Sequence, residues 1–449
     1  MNWTQLLATD RLSGTADDRD APRSPFQRDY DRVLYSSAFR RLGDKTQVFP
    51  VPLDDHIHSR LTHSLEVATI GRSLGTLAGR GIAASDGLPG GLDARDVGDC
   101  VAAACLAHDL GNPPFGHVGE DAFREFFDGF FGRHDGAAWT RALDAAQRAD
   151  LMRFEGNAQS LRIVTCLARP LSGHGLDLTC ATLGALVKYP CASSAALGKK
   201  AKQTSRTKHG INQAELPAFR DVAERTGLPA QGDGAVAWRR HPLAFLTEAA
   251  DDIAYRIIDF EDGLRLGLIE PAQFLEHMRP LCEGERGCPA PLEPRAGREA
   301  MFDLALTLRG IALNRLIHEA ADVFAARQRA ILEGAFDDAL LDHIPSRAAV
   351  EAIEGVNLER CYRARDVLKM ELSGAVAIEG VLESLADAAV NPGSLRAGHL
   401  HRLLPGVLRD EGVYTRLMRV TDHVSGMTDN YLVRRYRELS GIRLPGGRD

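Results

Sequence analysis

The sequence has no CxxC pair, no apolar run approaching the roughly 18 residues of a membrane span and no GxxxxGK[ST] string, and each absence closes a class of protein. Most of its eight cysteines lie in apolar helical contexts where a thiol acts as a small hydrophobe, so they read as residents of a reducing cytoplasm and not as a disulfide framework. With no cationic start followed by an apolar stretch, the chain is expected to be neither exported nor membrane-spanning. Without a phosphate-binding glycine loop, ATP-driven P-loop chemistry is not indicated. Basic charge is not in excess either. Lys plus Arg number 54 against 61 Asp plus Glu, a net charge of −7, so no global positive field draws the chain to nucleic acid and any such contact is a local patch. Alternating β-branched runs are scarce and no repeat of fixed period occurs, which leaves little room for sheets or solenoids.

What is present is helical pattern. Hydrophobic residues make up 44% and charged residues 26%, as in an ordinary globular protein. From Phe26 onward apolar residues recur at helical spacing in stretches rich in Ala, Leu, Arg and Glu, which predicts an all-α fold. A length of 449 residues allows two or three domains, or one large helical body with appendages. Residues 1–25, which include TADDRDAPRSP, predict a short helix and then a loop, an N-terminal arm expected to order only in an assembly. Loops are predicted at 85–93, 199–210 and 283–297. The last, rich in Pro and Gly, is expected to separate a catalytic body at 26–282 from a C-terminal helical region at 298–449.

The chemistry concentrates in residues 105–120, CLAHDLGNPPFGHVGE. The helix VAAACLAHD delivers His108 and Asp109 side by side and stops at Gly111, before a Pro113-Pro114 pair that cannot continue it. Flanked by Cys105, Leu106 and Ala107, this imidazole and carboxylate would be buried, and a buried carboxylate needs a counter-charge or a metal. Upstream, RLTHSLEV places Arg60 three residues before His63, on one helix face. Downstream, His117 and Glu120 stand at i and i+3, within hydrogen-bonding reach if a helix starts near Phe115, as a proton-transfer pair would. Far along the chain, LTEAADDIAYRII embeds two acids. Asp251 shares a face with Tyr255 at i+4 and Asp252 with Asp259 at i+7, so spacing leaves both open as ligands.

The order His63, His108-Asp109 and a distant Asp resembles the HD-domain phosphohydrolases. Within them, RDYDRVLYSSAFRRLGDKTQVF, RLTHSLEVATIGR, AHDLGNPPFGHVGE, FEGNAQSLRIV, VKYP, EAADDIAY and a late GMTD resemble the bacterial dGTPase family of deoxynucleoside triphosphate triphosphohydrolases. The resemblance is dense over roughly residues 23–265 and thin beyond until GMTD.

That resemblance implies an HD-domain helical core with additional C-terminal helices. It implies His63, His108, Asp109 and Asp251 as metal ligands, with Asp251 favoured over Asp252, and His117 with Glu120 as the catalytic pair. Substrate contacts implied by the matched strings are Arg60, Lys188, Tyr189 and Lys208 toward phosphate, Tyr255 toward phosphate or sugar, Asp259 and Gln47 toward the 3′-hydroxyl, and Val48 toward sugar and base. Glu155 and Asn157 of FEGNAQ are given a supporting role. A mixed nitrogen and oxygen donor set without thiolate suits an open site for Mg, Mn, Fe, Co or Ni better than a closed structural zinc. The activity implied is hydrolysis of a deoxynucleoside triphosphate to deoxynucleoside and inorganic tripolyphosphate. The rivals are an HD-domain nucleotidase or phosphodiesterase acting on another nucleotide, and a non-catalytic regulator that binds dNTP or single-stranded DNA. The family further implies a homo-oligomer, a hexamer, and activation by dNTP or a response to single-stranded DNA, for which Arg40, Arg41 and Lys45 are the expected surface cations.

Overall fold

The computed structural model describes residues 1–15, 22–49, 57–169, 173–198, 200–232, 234, 236–403 and 411–442. These residues form an all-α fold, with no β-strand among them beyond isolated bridges such as Arg11 with Thr179. Among the described residues no helix is long and apolar enough to cross a membrane.

The elements that matter for the site follow in chain order: α1 (Pro25–Leu34), α2 (Arg60–Ser85), α3 (Ala94–Ala107), α4 (Gly116–Arg133), α5 (Gly156–Arg162), α6 (Cys180–Leu186), α7 (Pro242–Arg265), α8 (Arg298–Leu332), α9 (Arg347–Val356), α10 (Arg365–Val390), α11 (Val413–Ser425) and α12 (Asp429–Leu439). Local chemistry sets where several begin. Ser59 and Asp93 close capping boxes at the starts of α2 and α3, satisfying amides that the first turn leaves orphaned. His241 caps α7 through its ring, and Pro242 occupies the first helical position, where its missing N–H costs nothing.

α2 and α3 lie against each other because α2 presents Gly71, Gly75 and Gly79 to its neighbour. A β-carbon at Gly71 would stand 2.4 Å from the Cys105 sulfur, and one at Gly75 would stand 2.8 Å from the Val97 carbonyl oxygen. This close approach carries His63 and His108 to ring centroids 5.5 Å apart. α7 runs through the same core, with Leu246, Ala250, Ile253 and Ile257 all fully buried on it. A second core joins the Phe-rich face of α4, with Phe123, Phe127 and Phe130, to Ile378, Leu382 and Leu385 of α10 and Leu417 of α11.

Residues 1–15 do not behave as the arm expected. Trp3 and Leu6 are buried in the main core, and Arg11 pairs with Asp29 of α1 at 2.7 Å with both side chains fully buried, so this segment is ordered by the single chain. Residues 16–21 of that arm, and Lys199 of the 199–210 loop, lie outside the described residues. Helix Pro271–Cys282 ends and α8 begins on either side of 283–297, and core side chains from both sides of that connection, Met278 and Leu308 among them, share one cluster.

Candidate active site

Four elements converge on one cavity of about 560 Å³. α2 contributes Arg60 and His63, the turn after α3 contributes His108 and Asp109, the start of α4 contributes His117 and Glu120, and α7 contributes Asp251, Asp252, Tyr255 and Asp259. Gln47, Val48, Lys188, Tyr189 and Lys208 also line it, so the metal, catalytic and substrate candidates expected from the sequence all border one cavity.

The donor cluster is tight. One ligand atom each from His63, His108 and Asp109 lie within 4.8 Å of one another. Asp251 Oδ1 stands 3.1 Å from His63 Nε2 and 3.4 Å from His108 Nε2, so it touches both imidazoles although it is not part of that tightest triple. Asp252 turns away to Arg256 Nη1 at 3.4 Å, and burial pushes its carboxyl up to about 6. Between the two acids that spacing left open, the contact geometry singles out Asp251.

His108 shows how the chain prepares a cation site. Its Nδ1 donates to the Cys105 carbonyl at 2.6 Å, which turns Nε2 toward the carboxylates, with Asp109 Oδ1 and Asp251 Oδ1 each 3.4 Å away. That Nε2 is buried and has no hydrogen-bond partner. A buried imidazole nitrogen that faces two carboxylate oxygens, with a second imidazole beside it, is a donor set that fits a divalent ion. Burial by itself would push the His108 imidazolium down, but Asp109 and Asp251 hold it up at about 9, a measure of how negative the pocket is. Those same imidazoles hold Asp251 well below the usual carboxylate range in spite of its burial.

Asp109 is held from both sides. Its Oδ2 accepts from Arg60 Nη1 at 2.7 Å, and its Oδ1 accepts from the Asn112 amide. Behind the turn, Ser160 of α5 donates to the His108 carbonyl at 2.8 Å and accepts from Gly111 N at 2.9 Å. Gly111 permits this because a β-carbon there would stand 2.2 Å from the Gly156 carbonyl oxygen.

The second constellation gathers at the start of α4. His117 Nδ1 lies 3.2 Å from Glu120 Oε2, with the imidazole 86% exposed and the carboxylate buried. Glu120 Oε1 accepts from Gly156 N at 2.7 Å, and Oε2 faces Arg124 at 3.3 Å and Lys208 at 3.9 Å. Burial pushes the Glu120 carboxyl up, but the His117 hydrogen bond and the Lys208 and Arg124 cations outweigh it and bring it to about 2. Glu155 fills the supporting place by accepting from Arg124 at 2.6 Å and Lys208 at 3.1 Å.

The remaining cations are also tethered. Lys188 pairs with buried Glu248 at 3.1 Å and lies 5.6 Å from the Tyr189 ring centre, and Arg240 grips the other Glu248 oxygen. Gln47 Oε1 is buried and accepts no hydrogen bond. Asp259 accepts from Tyr362 at 2.8 Å, and burial pushes its carboxyl up to about 7. Tyr255 donates to Glu354 at 3.3 Å.

Several of these partners were not anticipated. Arg124 stands one turn after Glu120, a spacing that could have flagged it. Asn112 lies inside the AHDLGN string. Glu354, Tyr362, Val367, Met370 and Glu371 come from α9 to α10, and they reach the cavity only because the C-terminal helices fold over it. Lys45 corrects an expectation: it is not a surface cation but 2% exposed, with Nζ donating to Asn112 O and, at 2.8 Å, to Ser425 O. Arg40 and Arg41 remain exposed.

Residues 60–166 match the HD domain, and residues 343–438 match the phosphohydrolase-associated domain. A deoxyguanosinetriphosphate triphosphohydrolase-like protein of Pseudomonas aeruginosa is 38% identical to this chain, covering 99% of it and 100% of the relative. One of Synechocystis is 37% identical with the same coverage. The chain belongs to the deoxyguanosinetriphosphate triphosphohydrolase-like family. A deoxyguanosinetriphosphate triphosphohydrolase of Serratia proteamaculans is 30% identical over 92% of this chain and 93% of its own length. The cavity draws on both matched regions and on the chain outside them: His63, His108, Asp109, His117 and Glu120 fall in the first, Glu354, Tyr362 and Met370 in the second, and Lys188, Lys208 and Asp251 between the two.

Proposed function

We propose that this protein is a metal-dependent dNTP triphosphohydrolase that cleaves the bond between the α-phosphorus and the 5′-oxygen, releasing deoxynucleoside and inorganic tripolyphosphate. One observation carries the reading. A donor set that fits a divalent ion, His63, His108 and Asp109 with Asp251 against both imidazoles, shares one cavity with a separate imidazole–carboxylate pair and two tethered lysines. Family membership and the printed names of the relatives support the same substrate class.

In this reading His63, His108, Asp109 and Asp251 hold a divalent ion, which when bound supplies Lewis acidity toward phosphate oxygen. Lys188 and Lys208 neutralise the polyphosphate, each carried by a buried carboxylate that fixes its direction. Arg60, oriented by its pair with Asp109, has a buried Nε without partner and adds a donor on the same side. Water attacks the α-phosphorus as the bond to the 5′-oxygen breaks, its surplus proton passing to solvent and so restoring His117 for the next turnover, while His117 delivers a proton to the departing 5′-oxygen, aimed by Glu120. The partnerless Gln47 oxygen and the Asp259 carboxyl, protonated below about pH 7, take the sugar 3′-hydroxyl, with Tyr255 and Tyr189 along the sugar and phosphate and Val48 toward the base.

Product analysis tests this. Purified protein supplied with each dNTP and with GTP, and with Mg, Mn, Co, Ni or Fe in turn, should release tripolyphosphate from at least one dNTP. Release of pyrophosphate or orthophosphate instead would place the chain with other HD-domain hydrolases. Tight dNTP binding without any product would make it a regulator.

A further inference from the structure

A turn near the end of the chain, residues 425–430, is bound along its length to residues 41–46. Arg41 donates to Gly426 O at 3.1 Å, Asn430 donates to Asp44, Lys45 donates to Ser425 O at 2.8 Å, and Thr46 N donates to Asp429 Oδ2 at 2.9 Å. The other oxygen of Asp429 accepts from Phe115 N at 3.1 Å. One buried carboxylate thus bridges two backbone amides that are far apart in sequence.

What those amides belong to gives the bridge its meaning. Thr46 precedes Gln47 and Val48, and Phe115 immediately precedes the helix that begins with Gly116 and His117. Thr46 and Phe115 both line the cavity, while Asp429 stands behind them. Phe115 has φ +60°, a left-handed backbone that a bulky residue adopts only when its surroundings impose it. Its ring fills the space over Gly374 of α10, where a β-carbon would stand 2.5 Å from it. The backbone that aims His117 is therefore held by the packed ring and by the Asp429 carboxylate.

We propose that Asp429 is a positioning residue that sets sugar specificity: by holding Thr46 and Phe115 on its two oxygens, it fixes the gap between the Gln47–Val48 wall and the His117 proton donor. This rests on the dNTP reading above for the identity of what lies in the gap. A carboxylate is needed because it accepts on both oxygens. An amide at 429 must turn its NH2 toward one of the two N–H groups, which breaks that bond and leaves a buried donor unmatched. The freed loop then shifts against the other wall, and even a small displacement across a reaction gap costs rate steeply.

The test compares Asp429→Asn with wild type by steady-state kinetics on the dNTP that wild type cleaves best (written dGTP below) and on its ribonucleotide (written GTP), calorimetric affinity for the same two nucleotides, and elemental metal analysis. The expected result is full metal content, a KM for dGTP raised about tenfold, and a ratio of dGTP to GTP specificity that falls by a similar factor. A merely structural role would lower the active fraction and leave both KM and that ratio unchanged, which overturns the proposal. Should Asp429→Asn not fold, the surface double variant Arg41→Ala/Asn430→Ala decides, since it loosens the same turn from outside. There the ratio should fall about threefold, and an unchanged ratio rejects the idea. Wild-type protein that binds dGTP over GTP without cleaving it refutes the hydrolase reading alone, and the variants' affinity ratio still judges Asp429. Wild-type protein that distinguishes neither nucleotide refutes both.

Discussion

Two imidazole–carboxylate partnerships line the cavity, and they are built inside out relative to each other. At His108 the ring is largely enclosed: Nδ1 donates to Cys105 O, and Nε2 is buried against Asp109 and Asp251. At His117 the ring is 86% exposed and its carboxylate, Glu120, is the buried partner. On the function proposed above, a buried imidazole nitrogen beside carboxylates would hold a cation in place. An exposed ring aimed by a buried acid can take a proton from solvent and pass it on in every turnover. On that proposal the same two residue types would serve different chemistry according to which of them the fold encloses.

The largest break in this comparison comes from the enclosed partnership. His108→Ala or Asp109→Ala should abolish metal binding and turnover together, because removing one donor of an open site unfixes the ion. Elemental analysis of the purified variants is the check, and a variant with full metal and full rate would sink the ligand assignment. Next in size is His117→Ala, which should keep its metal and its substrate affinity and lose roughly 100- to 10,000-fold in kcat. Paired metal analysis and active-site-normalised rates separate the two sides of the cavity.

A smaller effect sharpens the second partnership. Glu120→Gln keeps an acceptor for His117 but loses the charge that faces Lys208 and Arg124, so its loss in kcat should be less than that of His117→Ala. The double variant should be little worse than His117→Ala alone, as expected of residues acting as one unit. If Glu120 merely stabilises the start of α4, melting temperature falls in both single variants while kcat per folded molecule stays, and thermal melts beside rates reveal it.

How much of this was legible in the sequence follows from distance along the chain. The all-α fold follows from helical spacing, and His108, Asp109, His117 and Glu120 sit within one short string whose Pro113-Pro114 break announces the change of helix. His63 and Asp251 were legible only through resemblance, since spacing left Asp251 and Asp252 equal until the fold turned one toward the imidazoles and the other toward Arg256. The clamps were not legible at all. Glu248 beneath Lys188, Tyr362 on Asp259 and Asp429 across Thr46 and Phe115 are pairings between residues tens to hundreds of positions apart, and no local pattern encodes them. Lys45 was misplaced for the same reason: its neighbours Arg40 and Arg41 are exposed, and only the arrival of Ser425 and Asn112 covers it.

The smallest predicted effect extends the contrast to two carboxylates on α7. Asp251 is held well below the ordinary range, in spite of its burial, by His108 and His63, whereas burial pushes Asp259 up to about 7. Their linkage to folding has opposite signs. Asp251 contributes stability that is present above the ordinary carboxylate value near 4 and is lost as pH falls through its lower native value. Asp259 holds a proton in the folded chain that the unfolded chain has released, so its contribution is full below about 4 and is lost as pH rises from there to about 7. Asp259→Asn mimics the protonated carboxyl at every pH. In metal-free protein it should therefore melt a few degrees above wild type at pH 8, and the difference should vanish near pH 4, with a total size on the order of 1 to 4 kcal/mol. Thermal melts across that range are the measurement. A difference that is constant with pH would show that Asp259 ionises normally and faces solvent or substrate water. The same variant should bind dNTP more weakly above pH 7, where the wild-type carboxylate accepts from the 3′-hydroxyl and the amide oxygen accepts less strongly. Stability gained as binding is lost is the pattern of a group kept in the site for its ligand and not for the fold.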